Sequence, residues 1–389
     1  MEKTHTNDSI QHRLTGKVAV IVLNYNNWND TVACLESVFS NNYEDMQIIL
    51  VDNGSTDDSW GQIKKWAAAA ALIAGKIRPI PCIAYNREIA EAGGLRTREK
   101  ELTAALPAGV PCPLVLIQSG SNLGYAGGNN VGIKYALHST TNYSCAWLLN
   151  NDTIVAADAL SHLVTEATRD LTVGIVGSKI LFYDHPGIIQ AAGGAFLFPF
   201  LAHPFYRSHG KPDGACSRSR FGISYIMGAS MLIKMDVFGN TGLFESGYFL
   251  GWEETDFCTT AVRRGWKLSY SPWSRVWHKD QASIGPNSAI VDYFGTRNAV
   301  LYLKKFYWYA LPSAVLIGFT SKLINRIRRR QIHRLPLIAK AYYDGLFSRV
   351  ENEKNLQILR NLASQNNKQI RAQDDRKVSP QDDTVCSPC

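Results

Sequence analysis

The sequence predicts an α/β protein with a doubly wound, mostly parallel sheet, a smaller mixed second sheet and C-terminal helices. Two features of the first half predict the large sheet. Continuous apolar, β-branched runs alternate there with helical patterns, and each run ends in polar side chains. A third feature predicts the smaller sheet, because several short apolar runs follow one another in the second half in the manner of hairpins.

The first half can be assigned element by element. Each predicted strand is a short apolar run that suits a strand buried on both faces, and each predicted helix follows turn-forming or capping residues. The predicted strands are 17–23, 48–51, 114–117 and 147–149. The helices that follow them are 29–40, 58–71, a segment ending near residue 137, and 156–168.

Residues 75–113 interrupt this alternation. Five prolines, an adjacent pair of glycines and a charged patch predict a surface insertion made of loop and short helix. In the second half we expect a loop rich in proline and aromatic residues over 197–222 and a helix over 290–306. The short strands expected there are 173–176, 179–183, 188–196, 225–233, 266–270 and 275–278.

Composition and charge set limits on the class of protein. The 389 residues are 46% hydrophobic, which suits a folded globular chain, and the formal net charge is +8. The eight cysteines have irregular spacing, which is typical of free thiols in a reducing compartment. The N-terminus lacks the apolar core of a secretory signal, and no run of 18 apolar residues predicts a membrane-spanning helix. We therefore expect a cytoplasmic protein.

The two ends of the chain differ from its centre. We predict a flexible N-terminus over 1–16, a main domain over 17–306 that includes the insertion 75–113, and a disordered polar tail over 351–389. Residues 307–350 combine an aromatic and aliphatic stretch with a basic cluster over 322–334. This pattern fits an amphipathic helix on the inner face of the cell membrane, and it fits equally a helix packed on the core.

Polar side chains follow three of the predicted strands. Asp52 ends one strand, the glycine-rich segment 122–130 follows another, and Asp152 follows the third. The glycines allow close backbone approach, and an acid at such an edge can hold a divalent cation beside a diphosphate. Asp152 alone is explained equally well as a turn residue that caps the next helix. Three such signals at successive strand ends favour a nucleotide site.

These motifs resemble those of the family 2 glycosyltransferases, and most closely their rhamnosyltransferase-like branch. The resemblance covers roughly 17–306 and implies a GT-A fold, an inverting mechanism and a nucleotide-sugar donor. The segments that carry it are 51–57, 122–130, 148–152 and 253–256.

The resemblance also implies roles for single residues. Asp152 and His278 would hold Mg²⁺ or Mn²⁺, and Glu254 would be the general base, with Glu253 as its rival. Independently of the resemblance, Trp252 and Gly228 are expected near the acceptor, because an indole can stack on a sugar and a glycine inside a strand often marks a ligand at close range. The residues expected to bind the donor are Asn24, Asp52, Asn122, Gly124, Gly128, Asn129, Asn151 and Arg297.

Two departures from the family pattern affect these assignments. Asn150 occupies the place of the first metal-binding acid, so metal affinity would depend on Asp152 with help from His278 or water. The base is Glu254 where the family usually has Asp, which moves the carboxylate outward by one methylene.

Plainer explanations remain open for several of these residues. The acids at Glu253 and Glu254 also fit the first turn of a helix, where the dipole favours them. His278 fits a structural histidine, Trp252 fits the core, and Arg297 fits a surface ion pair as well as a diphosphate contact.

Three functions follow from this sequence as hypotheses. The first is metal-dependent, inverting transfer of a sugar to a glycan or polyprenyl-linked acceptor in surface polysaccharide synthesis. The resemblance implies rhamnose from dTDP-rhamnose as the sugar, and other nucleotide hexoses or galactofuranose are open alternatives. The second is a non-catalytic scaffold that binds nucleotide sugars, motivated by Asn150. The third, nucleic-acid binding, is disfavoured because aromatic residues are not interleaved with the cations of the basic cluster. We expect no nucleic-acid partner.

Overall fold

The structure is a computed structural model, and it describes residues 16–69, 71–73, 75–214, 222–279 and 288–347. The predicted tail over 351–389 and the predicted flexible N-terminus, except for residue 16, lie outside these ranges. The strands are β1 Lys17–Asn24, β2 Met46–Asp52, β3 Leu72–Ile73, β4 Lys76–Ile77, β5 Cys82–Asn86, β6 Leu114–Gln118, β7 Tyr143–Asn150, β8 Thr153–Val155, β9 Val173–Phe182, β10 Ile189–Ala192, β11 Gly194–Phe198, β12 His203–Tyr206, β13 Tyr225–Ile226, β14 Ser230–Lys234 and β15 Lys267–His278. The helices are α1 Trp28–Phe39, α2 Ser59–Ala69, α3 Arg87–Glu91, α4 Arg96–Ala104, α5 Gly124–His138, α6 Ala159–Thr168, α7 Met235–Thr241, α8 Glu253–Arg263, α9 Ala289–Phe306, α10 Leu311–Arg328 and α11 Leu335–Phe347.

One large mixed sheet forms the centre of the molecule. Its strand order is β5-β6-β2-β1-β7-β14-β9-β15-β8, with β10 paired to β9 outside this path. The first five strands in this order are mutually parallel, and β14 runs antiparallel to both of its neighbours. A second sheet has the order β12-β11-β13. The predicted fold class, a mostly parallel sheet with a smaller second sheet, is confirmed.

Helices cover both faces of the large sheet because its central strands are apolar on both sides. In β1, Val18, Val20 and Val22 pack into the core that contains the buried residues of α1 and α2. Ala19 and Ile21, whose side chains point the other way, pack into the core that contains α5. Burial of each such Val or Ile side chain contributes roughly 1.5–3 kcal/mol, so the alternating faces of β1 hold the two helical layers together.

The structure contains strands that the sequence patterns did not predict. Cys82–Asn86 is a parallel edge strand beside β6, within the segment predicted to be loop and short helix. Thr153–Val155 pairs with the end of β15, and His203–Tyr206 forms a hairpin with β11. The predicted strands 266–270 and 275–278 are one continuous strand, Lys267–His278. These errors concern short or bent strands, and except for the hairpin of β11 and β12 their pairing partners are distant in the chain.

The C-terminal helices pack against the main domain and against one another. Asp292 of α9 is buried and forms ion pairs with Arg326 and Arg334, so two cations of the basic cluster point inward. Burial also lowers the pKa of Lys322. Arg328 and Arg330 are exposed. Among the described residues, no helix combines the length and the apolar character needed to cross a membrane.

Candidate active site

The ends of β1, β2 and β7 meet at the carboxyl edge of the large sheet. The strand register places Asn24 beside Asp52 and Leu23 beside Asn150. The buried Asn24 donates hydrogen bonds to Oδ1 of Asp52 at 2.8 Å and to Oγ of Ser55 at 3.1 Å. Ser55 Oγ donates to the same Asp52 oxygen at 2.5 Å. This edge therefore holds an acid in a fixed position, as the sequence led us to expect.

The glycine-rich segment lies directly beside this acid. Asn53 Nδ2 donates to Asn122 Oδ1 at 3.2 Å and to the Gly124 carbonyl at 3.1 Å. Gly124 has φ +71°, and a Cβ there would lie 2.2 Å from the Phe249 carbonyl oxygen. Gly128 is packed for a different reason, since its Cβ would lie 2.5 Å from a methyl group of Leu23. The turn at 122–124 thus brings the end of β2 together with residues 249–252, the 249 loop.

Two amide side chains predicted to bind the donor have protein partners. Asn151 is buried, and its Nδ2 donates to Thr31 Oγ1 at 2.9 Å, which fastens the end of β7 to α1. Asn129 is buried in α5, where its Nδ2 donates to the Tyr125 carbonyl at 3.0 Å. Its Oδ1 is buried without a hydrogen-bond partner among the described residues. Contact of either residue with a donor stays a prediction.

Asp152 and His278 are brought together although 126 positions separate them in the chain. Both side chains are buried, and Nε2 of His278 lies 3.2 Å from Oδ1 of Asp152. The geometry of this contact is not that of a hydrogen bond, and Oδ1 has no other partner among the described residues. Nδ1 of His278 lies 3.0 Å from Oε1 of Gln190. Pattern analysis missed Gln190, which is distant from both residues in the sequence.

This pair fits a divalent metal ion that takes only a few protein ligands. The described residues contain no cluster of three or more His, Cys, Asp or Glu side chains arranged for a metal. Mg²⁺ usually keeps several waters and is held by one or two carboxylates together with substrate phosphates. A buried carboxylate oxygen without a hydrogen-bond partner, facing an imidazole nitrogen, supplies two suitable ligands. Asp152 and His278 are therefore the residues that could hold Mg²⁺ or Mn²⁺.

Glu253 and Glu254 begin α8. Burial, with the neighbouring Glu254 charge adding to it, raises the pKa of Glu253 well above its ordinary value. Burial raises the pKa of Glu254 to about 7. Oε2 of each residue is buried without a hydrogen-bond partner among the described residues, although Glu254 as a whole is partly exposed. A carboxylate with a pKa near 7 can accept a proton at neutral pH.

The loop that presents these acids has a strained backbone and is held by α9. Phe249 and Trp252 have φ values of +65° and +79°, which are uncommon for residues other than glycine. Asn298 donates hydrogen bonds of 2.8–2.9 Å to the carbonyls of Tyr248, Leu250 and Gly251. These three bonds fix the backbone immediately before Glu253.

Arg297, next to Asn298 in α9, also holds this loop. It is 5% exposed, and its guanidinium donates to the carbonyls of Gly247 at 2.7 Å and Tyr248 at 3.2 Å. The guanidinium also lies over the ring of Phe294, with 5.0 Å to the centroid. Arg297 is therefore a buried residue that holds the loop by hydrogen bonds to its backbone carbonyls. The expected surface ion pair of Arg297 is not what these contacts show. A contact between Arg297 and a diphosphate stays a prediction.

The residues predicted near the acceptor lie around the same loop. Trp252 packs on Tyr302, with ring centroids 5.2 Å apart, so its ring belongs partly to the core. Gly228 accepts a 2.7 Å hydrogen bond from the Tyr125 hydroxyl through its carbonyl, and a Cβ at 228 would lie 2.9 Å from that hydroxyl oxygen. Burial raises the pKa of Tyr125 well above its ordinary value, and the nearby charges of Glu254 and Glu253 raise this pKa further.

A continuous series of contacts joins the pair formed by Asp152 and His278 to helix α8. The Asn150 amide donates to the Ala229 carbonyl at 3.2 Å, next to Gly228. Tyr125 then connects Gly228 to the loop before α8, since its hydroxyl donates to the Gly228 carbonyl and its backbone amide donates to the Phe249 carbonyl at 2.8 Å. Asp52, Asp152 and Glu254 are therefore parts of one connected edge of the molecule.

Comparison with known proteins agrees with this geometry. Residues 19–94 match the family model described as Glycosyl transferase family 2. The low-salt glycan biosynthesis hexosyltransferase of Haloferax volcanii is 27% identical over 149 residues, which cover 38% of this chain and 46% of the relative. The N-acetylglucosaminyl-diphospho-decaprenol L-rhamnosyltransferase of Mycobacterium tuberculosis is 23% identical over 191 residues, which cover 45% and 61%.

A solved structure extends the likeness over most of the chain. Staphylococcus aureus TarS, residues 1–349, in complex with UDP-GlcNAc, has a TM-score of 0.50 at 14% identity, covering 86% of this chain and 82% of that one. The predicted relationship to family 2 glycosyltransferases and the GT-A fold are confirmed, and the predicted enzyme class agrees with these relatives. The matches span 18–61% of the length of the curated relatives.

Proposed function

We propose that this chain, a relative of the family 2 glycosyltransferases with the GT-A fold, transfers a sugar from a nucleotide-sugar donor to an acceptor hydroxyl with inversion. The observation that supports this most directly is the connected edge that carries Asp52, Asp152 and Glu254. An acid for the nucleoside, a metal-binding pair for the diphosphate and a partly exposed carboxyl group for the acceptor follow one another along it.

Glu254 is the proposed general base. A sugar hydroxyl is a weak nucleophile near neutral pH, so a carboxylate must remove its proton as the hydroxyl oxygen attacks. The oxygen forms a bond to the anomeric carbon, the bond to the diphosphate oxygen breaks, and the proton goes to Glu254. The single displacement inverts the anomeric centre. Glu253 is buried, so an acceptor hydroxyl reaches it less readily than it reaches the partly exposed Glu254.

Asp152 and His278 are the proposed metal ligands. A bound Mg²⁺ or Mn²⁺ neutralises charge on the leaving diphosphate. The protein contributes a preformed pair of ligands, and Asp152 provides the acid that remains after Asn150 replaces the first acid of the motif. Asn24 and Ser55 hold Asp52 in position for the nucleoside.

The donor and acceptor are proposed from the relatives. The Mycobacterium tuberculosis protein is named as an L-rhamnosyltransferase that acts on a diphospho-decaprenol sugar. We propose rhamnose as the transferred sugar and a polyprenyl-linked oligosaccharide or glycan as the acceptor. The family motifs and the 23% identity to the Mycobacterium tuberculosis relative support both choices.

A donor panel tests the proposal. The full-length protein is incubated with Mn²⁺ or Mg²⁺, one nucleotide sugar at a time and a polyprenyl diphosphate-linked acceptor, and nucleoside diphosphate release is measured. We expect release with one donor and loss of more than a hundredfold in Asp152→Ala and Glu254→Gln. Asp236→Asn and Glu101→Gln, which change exposed acids outside the site, are matched controls and should retain activity.

The alternative, a nucleotide-sugar-binding scaffold, predicts a different result. Asn150 in place of a metal-binding acid motivates it. Donor binding without release of nucleoside diphosphate from any donor, and unchanged in Asp152→Ala and Glu254→Gln, would establish the scaffold and reject the enzyme.

We also propose that the protein attaches peripherally to an anionic membrane surface. Leu316, Ile317, Ile324 and Ile327 recur at helical spacing on α10 and are each 43–70% exposed. Arg328 is exposed at the end of the same helix, so apolar side chains and a cation are presented together. Trp308 precedes the helix and is 74% exposed, and tryptophan is favoured at the boundary between lipid and water.

Vesicle sedimentation tests this attachment. We expect the full chain to sediment with vesicles that contain 30% phosphatidylserine more than tenfold better than with phosphatidylcholine alone. Leu316→Ser with Ile324→Ser should abolish sedimentation. Ile77→Ser with Leu171→Ser changes equally exposed apolar residues elsewhere and is the control. Equal sedimentation of both double variants would refute the proposed surface.

A further inference from the structure

Gln190 is the additional residue of a β-bulge. Strand β10 pairs antiparallel with β9, and the register places Ile189 opposite Leu181 but Ala191 opposite Ile180. Gln190 therefore has no residue opposite it in this pairing. Bulges change the direction of a side chain and are frequent beside active sites. Here the bulge directs a buried amide toward His278.

Two separate contacts select one tautomer of His278. Oε1 of Gln190 lies 3.0 Å from Nδ1 of His278, and an amide oxygen only accepts hydrogen bonds, so Nδ1 carries a proton. Nδ2 of Asn150 lies 3.4 Å from Nε2, and an amide nitrogen only donates, so Nε2 is the acceptor. Both contacts place the lone pair of the ring on Nε2, where it accepts the long 3.4 Å hydrogen bond from Asn150.

Nε2 also lies beside the acid of the site. Nε2 lies 3.2 Å from Asp152 Oδ1, which is buried and lacks a hydrogen-bond partner among the described residues. Two electron-rich atoms at this separation repel each other unless a cation is shared between them. The arrangement around His278 and Asp152 is thus complementary to a positive ion.

We infer that Gln190 is a positioning residue of the metal site, where its side-chain oxygen keeps Nδ1 of His278 protonated and Nε2 available beside Asp152. This inference rests on the proposed metal-dependent function. A metal-binding histidine commonly donates its second ring N–H to a fixed acceptor, and loss of that acceptor typically weakens metal binding by about 10–100-fold.

The first test measures binding of Mn²⁺ to the full chain, with and without UDP or dTDP, from the electron paramagnetic resonance signal of free Mn²⁺. We expect Gln190→Leu to raise the Kd about 10–100-fold. Gln190→Glu keeps an acceptor oxygen and should remain within threefold of wild type. Gln47→Leu is the matched control, because Gln47 is also a buried amide but bonds backbone carbonyls at the opposite end of β2.

The second test reads the tautomer directly in the metal-free protein. Nitrogen-15 spectra of histidine-labelled protein, with the His278 signals assigned through His278→Ala, should show a protonated Nδ1 in wild type and Gln190→Glu. In Gln190→Leu the proton should shift substantially to Nε2. A role in folding alone would lower the melting temperature and leave the tautomer of His278 unchanged. If Gln190→Leu does not fold, Gln190→Asn, whose oxygen is withdrawn by one methylene, is measured instead.

The outcomes separate this inference from the proposed function. If wild type binds Mn²⁺ no better than His278→Ala, the metal site itself is wrong. If wild type binds, His278→Ala does not, and Gln190→Leu binds like wild type with the same tautomer, only the role of Gln190 is wrong. Weaker binding and an altered tautomer in Gln190→Leu, with neither change in Gln47→Leu, support it.

Discussion

Asn24 donates a hydrogen bond of 2.8 Å to Oδ1 of Asp52, so the last residues of two central strands hold each other at the edge of the sheet. Thr31 of α1 donates in turn to Oδ1 of Asn24 at 2.7 Å. The position of Asp52 therefore depends on a buried amide that is satisfied on both of its ends.

Asn24→Leu tests this dependence. The substitution leaves the hydroxyl of Thr31 and an oxygen of Asp52 with one partner fewer, which should cost about 1–3 kcal/mol of unfolding free energy in urea. We also expect donor affinity, measured by calorimetry, to fall at least tenfold because Asp52 is no longer fixed. Asn41→Leu removes another buried amide, which bonds the Ala156 carbonyl away from this edge. It should lose stability but keep donor affinity, and equal affinity loss in both variants would contradict the role of Asn24.

The pKa of about 7 for Glu254 predicts a pH dependence of activity. The base must be ionised, so kcat/KM should fall about tenfold per pH unit as the pH drops below 7. Glu254→Gln should lose about 10²–10⁴-fold at pH 8 and show no inflection near 7. A wild-type profile that is flat between pH 5.5 and 8 would contradict this assignment.

The same pKa predicts a stability effect of the opposite sense. Burial disfavours the ionised form of Glu254, so the folded state holds this proton more tightly than the unfolded state does. The stability associated with protonation is complete below the unfolded pKa, near 4.5, and is lost as the pH rises through about 7. Glu254→Gln should therefore raise the melting temperature more at pH 8 than at pH 5. A larger gain at pH 5 would show that the sign is wrong.

The strand ends explain which parts of the site could be predicted from sequence. Asp52 and His278 each end a strand and Asp152 follows one, and parallel strands that enter a sheet in sequence bring such ends to one edge. Gln190 lies on a bulge, whose position depends on pairing with a distant strand, so no local pattern indicates it. Asn298 lies within a helix and contacts carbonyls 47–50 positions earlier in the chain, so periodicity could not reveal it.

The errors in the predicted fold have the same origin. β5 is only five residues long and alternates in burial because it lies at the edge of the sheet, so it lacks the long apolar run of a central strand. Pro79 and Pro81, just before this strand, favour a loop as the local prediction. β15 has a register irregularity between Ser271 and Arg275, where sequence patterns suggested two strands. Central elements are predicted well because burial on both faces dictates their composition, whereas edge and bent strands depend on their partners.

Gly124→Ala is expected to disturb the site by displacing the loop that precedes α8. A Cβ at Gly124 would collide with the Phe249 carbonyl at 2.2 Å, and the backbone there has φ +71°. The 249 loop would have to move, and Glu254 with it. We expect a loss of activity of at least a hundredfold together with lower stability. Gly242→Ala is the matched control, because Gly242 has φ +83° but open space around it. Because Gly242 has ψ −166°, a conformation almost restricted to glycine, this variant should lose about 1–3 kcal/mol of stability but keep nearly normal kcat/KM.

The buried ion pairs of Asp292 predict that the basic cluster has two functionally different parts. Asp292→Ala leaves Arg326, which is 7% exposed, without its carboxylate partner. Breaking a buried pair in this way typically costs about 3–5 kcal/mol, which urea unfolding would measure. Arg328→Gln removes an exposed cation and should change the unfolding free energy by less than about 0.5 kcal/mol. It should instead weaken sedimentation with anionic vesicles severalfold, since the outward cations face the proposed membrane surface.

A double variant tests whether Arg326 acts through this ion pair. Adding Arg326→Met to Asp292→Ala should restore part of the lost stability, because the second change removes the unpaired charge. A double variant less stable than Asp292→Ala would show that Arg326 stabilises α10 by packing rather than through this ion pair.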